Sequence, residues 1–127
     1  MSVLLDTSIL VDILRGFEPA IVYAQGLHAA PTCSEITRVE ILRGLRSDER
    51  RSTERLFATI RWVGVDEPIA RAAGELGRTW RRSHQGLATA DLVIAATANT
   101  LDLRLATLNL KHFPMFKGLR APYSAER

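Results

Sequence analysis

Apolar and polar positions alternate along this chain in blocks, with short apolar runs followed by longer stretches of helical spacing. Val3 to Leu5 is wholly apolar and runs into Asp6, Thr7 and Ser8. A run with no polar side fits a parallel strand covered on both faces. Ser8 or Thr7 then caps a helix through about Leu14, which Gly16 stops, and Glu18 to Gly26 reads as a second short helix. Ala30 to Cys33 predicts a strand, Ser34 caps a helix to about Gly44, and Asp48 opens another to about Ile60. Trp62 to Val65 predicts the next strand. Asp66-Glu67-Pro68 starts a helix, with acids in the first turn and proline near its first position, and that helix runs to about Arg82. Thr89 to Leu101 predicts a further helix and Arg104 to Thr107 a further strand. The alternation defines an α/β sandwich on a parallel sheet, where ligands sit beyond the carboxyl ends of the strands.

Composition narrows this picture without redirecting it. The 127 residues suit one domain, and 46% apolar with 24% charged residues is ordinary for a globular chain. A domain this long buries about two-thirds of its unfolded surface, so neither a disulfide nor a structural metal is needed to fold it. Cys33 is the only cysteine, which suits a reducing cytoplasm, and its apolar setting predicts a small buried side chain. The N-terminal residues carry no basic region, and the apolar-rich stretch from Ala88 to Leu101 is too short to cross a bilayer.

The placement of charge adds more than the net +3. Fifteen of the seventeen basic residues are arginine, and none falls between positions 16 and 37. Leu103 to Arg127 holds five basic residues and one acid, Glu126, while Arg78, Arg81, Arg82 and His84 form a second group. Arginine forks match phosphate oxygens, so this periphery suits an anionic polymer, although each arginine alone also fits a solvated surface.

Three acids stand out against that background. Asp6 follows the first strand directly, at a strand end where ligands bind, and equally where a helix cap would sit. Val39, Ile41, Leu42 and Leu45 trace an apolar arc with Ile36 at its rim, so Glu40 borders the predicted buried face. Asp91 opens a helix with apolar residues at every angle, and a carboxylate there needs a partner or a metal, or else complements the helix dipole. Oxygen ligands without histidine or cysteine suit Mg²⁺ or Mn²⁺ rather than zinc. His28, His84 and His112 have no metal-ligand spacing.

Four segments in order carry a resemblance. They are Leu-Leu-Asp-Thr-Ser-Ile-Leu-Val-Asp, Val-Glu-Ile-Leu-Arg-Gly, Ala-Thr-Ala-Asp-Leu-Val-Ile-Ala-Ala-Thr-Ala and Thr-Leu-Asn-Leu-Lys-His-Phe. Together they resemble the PIN-domain proteins, and among those the VapC-type toxins of bacterial toxin–antitoxin pairs. The resemblance implies a three-layer α/β/α sandwich around a mainly parallel five-stranded sheet. It implies a Mg²⁺- or Mn²⁺-dependent endoribonuclease, a cytoplasmic homodimer held inactive by a small cognate antitoxin. It carries the family's acidic site onto Asp6, Glu40 and Asp91, with Thr7 or Ser8 supporting them. Many PIN domains have a fourth acid near the last segment. Thr107 to Phe113 instead offers Asn109 and His112, and Asn109 either orients a carboxylate or caps a turn. Arg43 and Lys111 are the rim residues expected to hold RNA phosphates.

Other classes fit less well. A phosphoacceptor receiver needs an acidic pair after its first strand and an aspartate right after its third. Here Asp6 stands alone, and Asp66 begins a helix. A non-catalytic nucleic-acid-binding module would be weakened by these acids, and aromatic residues are only 6%, too few for an evident stacking platform. A structure-specific DNA nuclease would keep the chemistry and change the substrate.

Overall fold

Val3 and Leu5 face one side of the first strand and Leu4 the other, and all three are buried, so this strand must be covered on both faces. The computed structural model describes residues 2–81 and 86–127. Arg82 and His84 of the second basic group therefore lie outside the described residues.

The strands are β1 (Val3–Leu5), β2 (Thr32–Ser34), β3 (Arg61–Val63) and β4 (Arg104–Ala106), paired in the order β3-β2-β1-β4. Every pairing is parallel, with Leu4 opposite both Thr32 and Leu105, and Cys33 opposite Trp62. The sheet thus has four strands among the described residues where five were expected.

Helices α1 (Thr7–Leu14), α2 (Glu18–Gln25) and α4 (Arg50–Phe57) cover the Val3/Leu5 face through Ile9, Leu10, Tyr23 and Phe57. Helices α5 (Glu67–Trp80) and α6 (Thr89–Leu101) cover the Leu4 face through Ile69, Ala73, Val93 and Ile94. The result is the expected α/β/α sandwich. Buried Cys33 packs in the first of these cores, and burial pushes its thiol up to about 12, far from a nucleophile's range.

Helix α3 (Glu35–Arg43) runs between the layers, giving Ile41 to one core and Ile36 to the other. Here the expected apolar arc is corrected. Val39 and Leu42 are 58% and 43% exposed, whereas Thr37 is fully buried and Ile41 nearly so. The inner side of α3 combines Ile36 and Ile41 with polar contacts from Thr37 and Glu40 to Thr7 of α1, while Val39 and Leu42 face outward. The helix expected from Asp48 starts instead as a 3-10 turn, Ser47–Glu49, before α4. Helix α6 ends at Asp102 in the left-handed conformation (φ 54°, ψ 52°), which drops the chain into β4.

Candidate active site

β1, β2 and β4 all deliver their carboxyl ends to one edge of the sheet, and the chemistry gathers there. Asp6 leaves β1 at the first position before α1 and is 2% exposed. Its side chain does not cap the helix. Instead Oδ2 accepts the Ser8 hydroxyl at 2.9 Å and the Thr107 hydroxyl at 2.6 Å. Thr107 follows β4 as Asp6 follows β1, and the register of Leu5 opposite Ala106 brings the two together. The Thr107 oxygen also accepts from the Asn109 amide at 2.9 Å, and the Ser8 oxygen accepts from the Leu108 amide at 3.3 Å. The two hydroxyls therefore orient the carboxylate and fasten the loop after β4 to α1.

Glu40 reaches the same edge from α3. Thr7 donates to its Oε1 at 2.6 Å, and the Thr7 oxygen lies 3.0 Å from that of the buried Thr37. Arg43, one turn further along α3, is exposed and makes no ion pair with Glu40 or any other acid among the described residues.

Asp91 lies in the first turn of α6, with its side chain 16% exposed and Oδ2 3.2 Å from Nδ1 of His112. Burial raises its pKa most. Repulsion from Asp6 and Glu40 raises it further, and His112 works the other way. The three acids thus share one field. Among the described residues, His112 is the one basic side chain within ion-pair distance of any of them. The acids do not close into a ready-made ligand cage among the described residues. Their chemistry suits a hard dication, because carboxylates that repel one another are relieved by a positive ion and supply the oxygen donors it takes.

Of the residues expected to support this site, Thr7 holds Glu40 and Ser8 holds Asp6. Asn109 is exposed and precedes a 3-10 turn, Leu110–His112, with no capping bond from its side chain. Its amide, rather than its carboxamide, is tied into the site. Lys111 is exposed between Asn109 and His112. Sequence reasoning left His112 open and missed Thr107 and Thr37. The one signal for Thr107 was a hydroxyl directly after a strand, and it acquires meaning only once β1 and β4 are known to be neighbours.

With the geometry in place, comparison with known proteins gives the family. The PIN domain model matches residues 3–115, and the chain belongs to the PIN-domain family. It is 44% identical to Ribonuclease VapC19 of Mycobacterium tuberculosis over 124 residues, spanning 94% of this chain and 98% of that one. It is also 41% identical to Ribonuclease VapC10 of the same organism over 125 residues, spanning 96% and 93%. Among solved structures, a toxin–antitoxin complex from Klebsiella pneumoniae superposes with a TM-score of 0.81 at 29% identity, covering 96% of this chain and 98% of that one.

Proposed function

We propose that this chain is a divalent-metal-dependent endoribonuclease and the toxin of a toxin–antitoxin pair. The observation that supports the reading is that Asp6 after β1 and Glu40 on α3 both act electrostatically on Asp91 at the start of α6, with His112 beside it. The ribonuclease names of the VapC relatives support RNA as substrate, and the toxin–antitoxin complex among the structural neighbours supports a protein partner.

Asp6 and Asp91 would hold Mg²⁺ or Mn²⁺, with Glu40 as a further ligand or acting through water. When bound, the ion would lower the pKa of a water and offset charge on the phosphate. The protein's own residues do the rest. Ser8 and Thr107 fix the plane of the Asp6 carboxylate, and Thr7 fixes Glu40. His112 is a positioning residue, setting the Asp91 carboxylate through Nδ1. Arg43, three residues after Glu40 on α3, and Lys111, next to His112, are exposed and would take flanking phosphates of the RNA. A homodimer in the cytoplasm remains part of the proposal, and no helix among the described residues is long and apolar enough to cross a membrane.

The receiver reading fails on Asp66. Its carboxylate accepts the Ile69 amide at 3.0 Å as the cap of α5, which leaves it committed to the helix. The partner is tested by purifying the chain with and without the small protein encoded beside it. The chain is expected to cut RNA alone and to be inhibited in the complex. Undiminished cleavage by the complex would remove the antitoxin from the account.

A further inference from the structure

The opposite edge of the sheet holds a second concave feature. A cavity of about 630 Å³ opens where β1 and β4 begin, between Ser2, Val3 and Arg104 on one side and Tyr23 with the 26–30 segment on the other. It is separate from the acidic site, since Val3 and Asp6 lie at opposite ends of β1, roughly 10 Å apart at about 3.3 Å per residue. Its volume falls in the range of small-molecule sites, roughly 300–1,000 Å³.

The lining sorts into two kinds of surface. Val3, Val22 and Leu27 are apolar, and Val22 is 57% exposed although it is a large aliphatic residue. Arg104, His28 and Tyr23 supply polar hydrogens, and none of the described lining residues is acidic. The Arg104 side chain makes no ion pair among the described residues, and its backbone amide is committed to Ser2. The ring of Tyr23 is held by the ring of Tyr123 at 6.1 Å, while its hydroxyl makes no hydrogen bond among the described residues. The guanidinium acts on that phenol, since Arg104 lowers a Tyr23 pKa that burial raises. One guanidinium and two further hydrogen-bond donors, gathered over apolar walls with no acid among the described lining residues, are the complement of an anion with an apolar body.

We propose that this cavity binds a small organic anion, with a flat apolar body against Val3, Val22 and Leu27 and one acidic group held by Arg104 and the Tyr23 hydroxyl. The proposal is independent of the nuclease reading, because it uses no residue of the acidic site.

8-Anilinonaphthalene-1-sulfonate is a direct probe, having an aromatic body and a single sulfonate. Titration of the intact protein, followed by fluorescence and by amide NMR, is expected to show one site with shifts centred on residues 2–3, 22–30 and 104. Arg104→Met keeps the bulk of the side chain and removes the charge, so it should weaken binding about tenfold or more. Tyr23→Phe keeps the ring against Tyr123 and should weaken it several-fold, which provides a reading even where the Arg104 change disturbs β4. RNA cleavage by both variants should match the parent chain. Shifts centred elsewhere, or undiminished affinity in variants with a native amide spectrum, would overturn the proposal.

Discussion

Asp6 is nearly inaccessible, at 2% exposure, yet no guanidinium or ammonium among the described residues answers its charge. Two neutral hydroxyls, Ser8 and Thr107, are its side-chain hydrogen-bond donors among the described residues, so its orientation is fixed without a cation beside it. Thr107→Val keeps shape and removes one of those donors, and it also strands the Asn109 amide. We expect a loss of about 1–3 kcal/mol in stability by urea titration. RNA cleavage should fall by at least about tenfold, as displaced catalytic groups do.

Asp91 yields a prediction of opposite sign. Its folded-state pKa lies above the ordinary carboxylate value, so the native state holds that proton more tightly than the unfolded chain does. The penalty of ionising it is absent below the unfolded value and complete above the folded one. Stability of the metal-free protein should therefore fall as pH rises through that window. Asp91→Asn should flatten this slope and raise stability at neutral pH, measured by thermal melts across pH in chelator. A variant as pH-sensitive as the parent would show that Asp91 is not the group responsible.

Among the elements, α6 is the one that carries an acid into the site and then has to hand the chain straight to β4. Asp102 makes that turn in the left-handed region, where a side chain is disfavoured and glycine is not. Asp102→Gly is expected to stabilise the protein by about 0.5–1 kcal/mol in urea denaturation, with RNA cleavage unchanged. A destabilised variant would mean that Asp102 does more than turn the chain.

Elements were also the level at which the sequence was most readable. The apolar triplet Val3–Leu5 and the all-round apolar α6 announce themselves by composition, because a buried strand or helix needs no polar face. Helix α3 misleads for a related reason. Its buried positions include Thr37, and Val39 and Leu42 point outward, so a rule that places aliphatic residues inside selects the wrong side. Asp6, Glu40 and Asp91 stood out as acids at the edges of apolar segments. Thr107 could not, because its contact with Asp6 spans 101 positions and depends on β1 lying beside β4. His112 was visible only as a histidine without ligand spacing, and its contact with Asp91 depends on the turn after β4 reaching the start of α6.

At the scale of the molecule, the sheet edge gathers its acids and the remaining chain holds the layers in place around it. Phe113 is buried on the α6 side of the sheet, with Met115 and Phe116 packed beside it. The chain then crosses to α1, where buried Asp12 accepts the Tyr123 hydroxyl at 2.8 Å and the Arg127 guanidinium at 2.7 Å. The guanidinium also covers the Phe17 ring, 3.7 Å from its centroid. The helix that begins at Thr7 and Ser8 is thereby anchored from its far side, away from the residues that orient Asp6 and Glu40.

The central claim is that the three acids act as one metal-dependent site on RNA. It is tested most directly by following cleavage of a labelled RNA while Mg²⁺ or Mn²⁺ is titrated into the chelator-treated chain and into folded Asp91→Asn. The account predicts metal-dependent cutting by the parent chain and none by the variant at any ion concentration. Cleavage in chelator, or full activity of folded Asp91→Asn, would contradict it.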